Sequence, residues 1–312
     1  MTATPTPTFP TTPTTPSAPA AATMPRFEPN LMRRKLNGTI FYGLCLAAIG
    51  LTMLTLVVLL VDVVARGLPM LRPEFLTGVP SRFPARAGIL PAIVGSIEMG
   101  LLVAALTFPT GVAAAVFLEE YARDTWWNRA LRTNIANLAG VPSIIYGIFG
   151  LALFVRLLGL GFTLLAGALT MSLLILPVVI IASMEAIRAV PDSQREAAYA
   201  LGATRWQVVR GAVLPTAAPG ILTGIILAMA RALGEAAPLL LVGAVVFVTY
   251  LPNPIEGGYT VLPIQIFQWA SRPQEGFQMI SASAIIVLLV VLFVLNALAL
   301  VVRARLTRHI AW

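Results

Sequence analysis

The sequence predicts an all-α, polytopic integral membrane protein with six transmembrane helices. Three observations predict it. The chain is 58% hydrophobic and only 11% charged over 312 residues, where soluble domains carry about a quarter charged residues. Apolar runs recur along it, each of about 20 residues and so able to cross a bilayer as a helix. Basic residues, nearly all Arg, number 4, 3, 4 and 3 in the four connections assigned to the inside and 6 in all in those assigned outside. That bias sets an orientation with both termini cytoplasmic.

Composition also excludes functions. Cys45 and His309 are the only residues of their kinds, too few for a disulfide, a zinc centre or a catalytic triad. The one lysine, Lys35, precedes the first span, so no Walker-type nucleotide site can form. The formal charge of +8 is read as cytoplasmic loops at a lipid bilayer, with no nucleic acid as partner.

Residues 1–25 hold Thr, Pro, Ala and Ser with no charge and are expected to form a solvated tail. The expected organisation is a cytoplasmic tail 1–35, a first span with its outer loop 36–84, the transmembrane domain 85–303 and a cytoplasmic tail 304–312. The first span is predicted over 38–64, after Arg26, Arg33, Arg34 and Lys35, with Asp62 and Arg66 as an interfacial ion pair. The outer loop 66–87 carries Arg66, Arg72, Arg82 and Arg86 against one acid, Glu74. It runs against the inside bias and reads as a basic vestibule, a docking surface or scattered solvated arginines.

The second span is predicted over 88–117, interrupted by Pro109 and Gly111. Glu98 lies inside it and is a functional candidate as an intramembrane carboxylate, or else a packing residue. Residues 119–132 are expected to form an inner loop. The third span, 134–158, contains Pro142 between glycines and is expected to bend. The fourth is predicted over 163–187. A polar island follows at 191–215, then a fifth span over 217–247, an outer connection over 248–278 and a sixth span over 279–302.

The polar island reads as two short helices. Ser193 with Glu196 and Thr204 with Gln207 have the spacing of capping boxes, and Gly202 suits a left-handed stop between them. Arg231 and Glu235 are the other feature. Four apart, they share one face of a continuous helix with Gly220, Gly224, Leu227 and Pro238. A charge at the bilayer centre costs about 2.5–3.5 kcal/mol. Either the two neutralise one another to hold the bundle, or Arg231 also binds an anion through its forked guanidinium.

Glu196-Ala197-Ala198, Gly202 and Leu214-Pro215 resemble the EAA loop of ABC importer permeases, with Ala212 where that family usually has Ile. The resemblance implies a type I ABC importer permease fold, in which this loop is a cytoplasmic coupling helix docking on an ATPase. Asn137 to Gly150, Ala200 to Trp206, Pro219 to Gly224 and Arg231 to Pro238 further resemble the PstA branch of phosphate permeases, over roughly 85–245. Relatives commonly have Thr where this chain has Ala236. That resemblance implies a permease half of an ATP-driven phosphate importer in a bacterial cell membrane. Its partners would be a PstC-like permease, a PstB-like ATPase dimer and a PstS-like binding protein. ATP and Mg would sit on the ATPase, so this chain needs no cofactor and has no catalytic residue. Arg231, Glu235 and Glu98 are the expected pathway residues. The alternatives are the same fold carrying sulfate or molybdate, and a secondary transporter driven by protons through Glu98 and Glu235.

Overall fold

The computed structural model describes residues 31–244 and 247–307. The Thr/Pro tail, Arg26, Arg308 and His309 lie outside them. The described residues are almost wholly helical, with one isolated bridge between Ala244 and Tyr259. The chain divides into two compact units, Met1–Val57 and Val58–Trp312. The first holds most of helix α1 (Leu31–Gly67), which is apolar on all sides, as a membrane span is. At its end Arg66 and Asp62 make the expected pair, at 2.8 Å and exposed.

In the second unit, α2 (Pro73–Thr77) lies in the loop before α3 (Leu90–Val116). The apolar third segment is split into α4 (Trp126–Ala139) and α5 (Ser143–Gly150) with a π-helical extension to Leu157. Helix α6 (Leu164–Arg188) is the most buried span, with α3 and then α9 (Leu214–Gly234) packed most extensively on it. Among the described residues five helices are long and apolar enough to cross a membrane, or six if the α4–α5 pair, bent by 101°, is one broken span. Pro142 at the α5 N-cap explains the bend, since proline holds its neighbour out of helix and offers no N–H.

Several expectations need correction. The second span is not interrupted: α3 runs through Pro109. Pro109 removes the bond to the Ala105 carbonyl, and the helix is buttressed on either side of that gap: Thr110 donates its hydroxyl to Leu106 O at 2.6 Å, as Ser and Thr commonly do in spans, and Gly111 packs on Val179. The inner loop 119–132 is largely ordered helix, a π-helical turn Phe117–Tyr121 and then the start of α4, capped by Thr125. The outer connection, whose fold the sequence leaves open, is partly helical. Helix α11 (Leu262–Ala270) folds back into the protein, with Trp269 only 1% exposed. Tyr259 beside it is fully buried, and burial pushes its phenol well above the usual range.

The fifth span is displaced. It runs without a break from α8 (Arg205–Val208) through a π-helical turn into α9, so it begins at Arg205 and ends at Gly234. It stops there because Pro238, at the second position of α10 (Ala237–Leu241), would place its ring against the carbonyl of Gly234 in a continued helix. Gly220 and Gly224 share the face of α9 that carries Arg231, as their spacing predicts. They let α9 approach α6: a Cβ on Gly224 would stand 2.4 Å from Ala182 Cβ, and one on Gly220 2.8 Å from Ala186 Cβ. Gly224→Val should therefore destabilise the fold by about 1–3 kcal/mol through overpacking, read as a lowered Tm of the purified chain in detergent.

Candidate functional site

Two regions carry polar chemistry, one within the spans and one at the end of the bundle where the EAA loop lies.

Within the spans, Arg231 occupies the last turn of α9, where a cation is favoured by the helix dipole. Its side chain is exposed on the surface of this chain, beside Leu227, which is 67% exposed. Glu235 is the first residue beyond the helix, in extended conformation (φ −86°, ψ 124°). The shared helical face expected for the two residues is therefore absent, and no ion pair joins them among the described residues. Instead Ser143 Oγ donates to Glu235 Oε1 at 2.7 Å. Ser143 is the first residue of α5, so the carboxylate sits at the positive end of that helix. The contact closes because α5 and α10 pack together at Gly147, where a Cβ would meet Pro238 Cα at 2.8 Å.

Arg231 thus has no protein acceptor among the described residues, while Glu235 has its own donor. The arrangement offers a free guanidinium on an outward wall with a carboxylate one helix-end away. Glu98 is half-buried in α3, its Oε2 buried and without a partner among the described residues. No hydrogen bond joins it to Arg231 or Glu235.

At the other region, helix α7 (Asp192–Ala200) begins after Pro191, not at Ser193, so the first capping box does not form. Pro191 holds φ at −59° and sets the N-terminus itself. The second box forms: Gln207 Oε1 accepts from Thr204 N at 2.8 Å. Gly202 takes φ +80°, the left-handed stop that joins α7 to α8. Glu196 and Ala197 are exposed, whereas Ala198 and Leu214 pack on the apolar cluster of α3, α6 and α9. Pro215 stands at the second position of α9, where its missing N–H costs nothing. Tyr199, Leu201 and Trp206 present 46%, 90% and 56% of their surfaces to solvent, a concentrated apolar patch on a polar loop.

Sequence reasoning missed what fastens this loop. Arg195 donates to Glu120 Oε1 at 3.0 and 3.2 Å, to Asp192 Oδ1 at 3.0 Å, and to the carbonyls of Val190 at 2.6 Å and Ile187 at 2.9 Å. Glu120 is 8% exposed as a side chain and Arg195 18%. The neighbouring Glu119 holds Arg188 at 2.8 Å and also Arg132. Arg205 stacks over the Tyr121 ring at 5.0 Å, and Thr216 Oγ donates to Gln194 Oε1 at 2.9 Å. The acids lie in the π-helical turn that ends α3. The signal was present as two adjacent acids, Glu119 and Glu120, at the end of an apolar run.

A family profile described as the binding-protein-dependent transport system inner membrane component matches residues 107–310. The chain belongs to that family. The permease is 39% identical over 212 residues to a probable ABC transporter permease protein, YqgI, of Bacillus subtilis, covering 67% of this chain and 71% of that one. It is 33% identical over 290 residues to the phosphate transport system permease protein PstA 1 of Mycobacterium tuberculosis, covering 91% and 94%. Among solved structures it resembles a chain of a bacterial alginate ABC transporter in complex with an alginate pentasaccharide-bound periplasmic protein. The TM-score is 0.62 at 15% identity, covering 89% of the permease and 98% of that chain. The fold is that of a type I ABC importer permease, and the permease is a multi-pass membrane protein.

Proposed function

We propose that the permease forms half of the translocation pathway of an ATP-driven inorganic phosphate importer and contributes no catalysis of its own. The observation that carries this reading is the free guanidinium of Arg231, on a surface where a second permease would close the pathway. Guanidinium matches phosphate oxygens with paired, charge-assisted donors. Its neighbour Glu235, held by Ser143, keeps the region near neutral when empty and weakens anion binding enough for release. The relatives described as phosphate permeases support phosphate over sulfate or molybdate.

The complex would pair the permease with a PstC-like permease, a PstB-like ATPase dimer that carries ATP and Mg, and a PstS-like binding protein that delivers phosphate. The patch of Tyr199, Leu201 and Trp206, with Glu196 and Ala197 beside it, is the surface the ATPase would cover. Leu201→Asp places a charge in that contact without touching the core. It should sever ATP-dependent uptake and lower co-purification of the ATPase at least tenfold, since burying an unpaired charge costs several kcal/mol.

The substrate reading is tested by labelled-phosphate uptake in bacteria lacking their own high-affinity system, supplied with the permease and its partners. Uptake that excess sulfate or molybdate leaves unchanged supports phosphate. Uptake abolished by either competitor reassigns the cargo.

A further inference from the structure

We propose that the end of the bundle opposite the EAA loop carries a second anion site, which takes the phosphate group of a free phosphate ion or of a lipid headgroup. It lies where the segment between α1 and α3 meets the start of helix α12 (Glu275–Thr307). There a cavity of about 170 Å³ is lined by Arg72, Glu74 and Arg86, with Phe75, Ala87 and Ile280 among its apolar walls. Those walls are buried at 5%, 5% and 2% exposure, while the charged groups stand exposed at the rim. On the same measure a single water needs about 10–15 Å³, so the space admits a larger group.

The two arginines share with others, such as Arg82, Arg156, Arg210 and Arg231, the lack of a side-chain partner among the described residues, and they are the two of that set that line this cavity. Arg66, Arg129, Arg132, Arg188 and Arg195 each hold a carboxylate, and Arg205 and Arg272 each stack on an aromatic ring. Neither guanidinium of Arg72 and Arg86 has a hydrogen bond, ion pair or ring contact among the described residues, and Glu74 has not neutralised either of them.

The rim is also pre-formed. Gly88 N donates to Val79 O at 2.9 Å, Ile89 N to Phe75 O at 2.8 Å and Leu90 N to Gly78 O at 3.0 Å. A Cβ on Gly88 would fall 2.2 Å from Gly78 C, so the two limbs of the loop touch backbone to backbone. Pro84 is braced in turn against Gly276 at the start of α12. Two cations are thus held on a fixed frame over an apolar floor, the setting in which forked donors bind phosphate oxygens with little ordering cost.

The loop is costly to keep basic. Four arginines against one acid in 66–87 oppose the charge bias that orients the spans. Asp62 meets Arg66, and an anion held by Arg72 and Arg86 would offset two of the remaining three. Glu74 on the same rim would favour a singly charged group, such as dihydrogen phosphate or a phosphodiester. The site stands whether or not phosphate is the cargo of the pathway at Arg231.

The test uses the full chain carrying Arg231→Gln, so that the pathway arginine does not contribute, with and without Arg72→Gln and Arg86→Gln. Both side chains are exposed, so the added changes should leave Tm nearly unaltered. One arm measures labelled inorganic phosphate bound in lipid-free maltoside detergent. The other counts phosphatidylglycerol retained in native mass spectrometry after extraction from mixed phosphatidylglycerol and phosphatidylcholine vesicles. Loss of phosphate binding by about tenfold or more on adding the two substitutions assigns the site to the free ion. Loss of retained phosphatidylglycerol assigns it to a headgroup. Equal binding of both with and without the two arginines overturns the proposal. So does a variant whose only defect is weaker association with the binding protein, which would make the rim a protein contact.

Discussion

Arg231→Gln should reduce ATP-driven phosphate uptake by roughly thirty-fold or more while the complex still assembles and hydrolyses ATP. The size follows from removing one partner of a desolvated charge contact, which costs about 2–5 kcal/mol. The direction follows from the geometry. Arg231 carries no internal ion pair among the described residues, so its removal strands no buried carboxylate. Glu235 keeps its donor, Ser143 Oγ, at 2.7 Å. The fold should therefore tolerate the change, with Tm in detergent altered little. Had the two residues formed the ion pair that their spacing suggested, the same substitution would have destabilised the bundle. Ser143→Ala provides the complementary measurement. It removes the donor and leaves the Glu235 carboxylate free to move to Arg231, so it should weaken uptake while leaving ATP hydrolysis intact.

The second large effect is expected at the loop's anchorage. Breaking a buried ion pair from one side costs about 3–5 kcal/mol, and Glu120 and Arg195, at 8% and 18% exposure, are buried enough for that estimate to apply. Glu120→Gln should lower Tm and separate the two activities, with ATP hydrolysis by the assembled complex continuing while phosphate uptake falls. The reason is mechanical. The loop is continuous with α6 and α9 by sequence, but its polar link to the end of α3 runs through Arg195 and Glu120 and through Arg205 over Tyr121, while Glu119 with Arg188 ties that same end to α6. Loosening that link leaves the loop able to move without carrying α3. The exchanged pair Glu120→Arg with Arg195→Glu should recover part of the stability. A Glu120→Gln complex with full uptake and normal Tm would show the pair to be incidental.

Much of this architecture was legible in the sequence because bilayer physics writes it locally. Span length, the 101° break near Pro142 and the left-handed Gly202 each follow from residues close together in the chain. The EAA loop was legible for the same reason, as one contiguous polar stretch. What failed was reading Arg231 and Glu235 by helical spacing. The end of the helix is marked by Pro238, whose clash falls four residues back on Gly234, and that local stop overrides the periodic face. The partners that define the sites lie far apart in sequence. Ser143 meets Glu235 across 92 positions, and Glu120 meets Arg195 across 75. Such contacts depend on how α5 seats on α10 and how α3 ends beside α7, and no local pattern records them. The uninterrupted α3 belongs to the same class, since Val179 of α6 packs on Gly111 beside the proline.

The most direct measurement is labelled-phosphate accumulation in proteoliposomes holding the permease with its sister permease and ATPase, supplied with the binding protein, with ATP as the only energy source. The account predicts accumulation that requires ATP, persists when the proton gradient is collapsed, and disappears with Arg231→Gln while ATP hydrolysis continues. Accumulation driven by a proton gradient without ATP, or full accumulation by the Arg231→Gln complex, would contradict it.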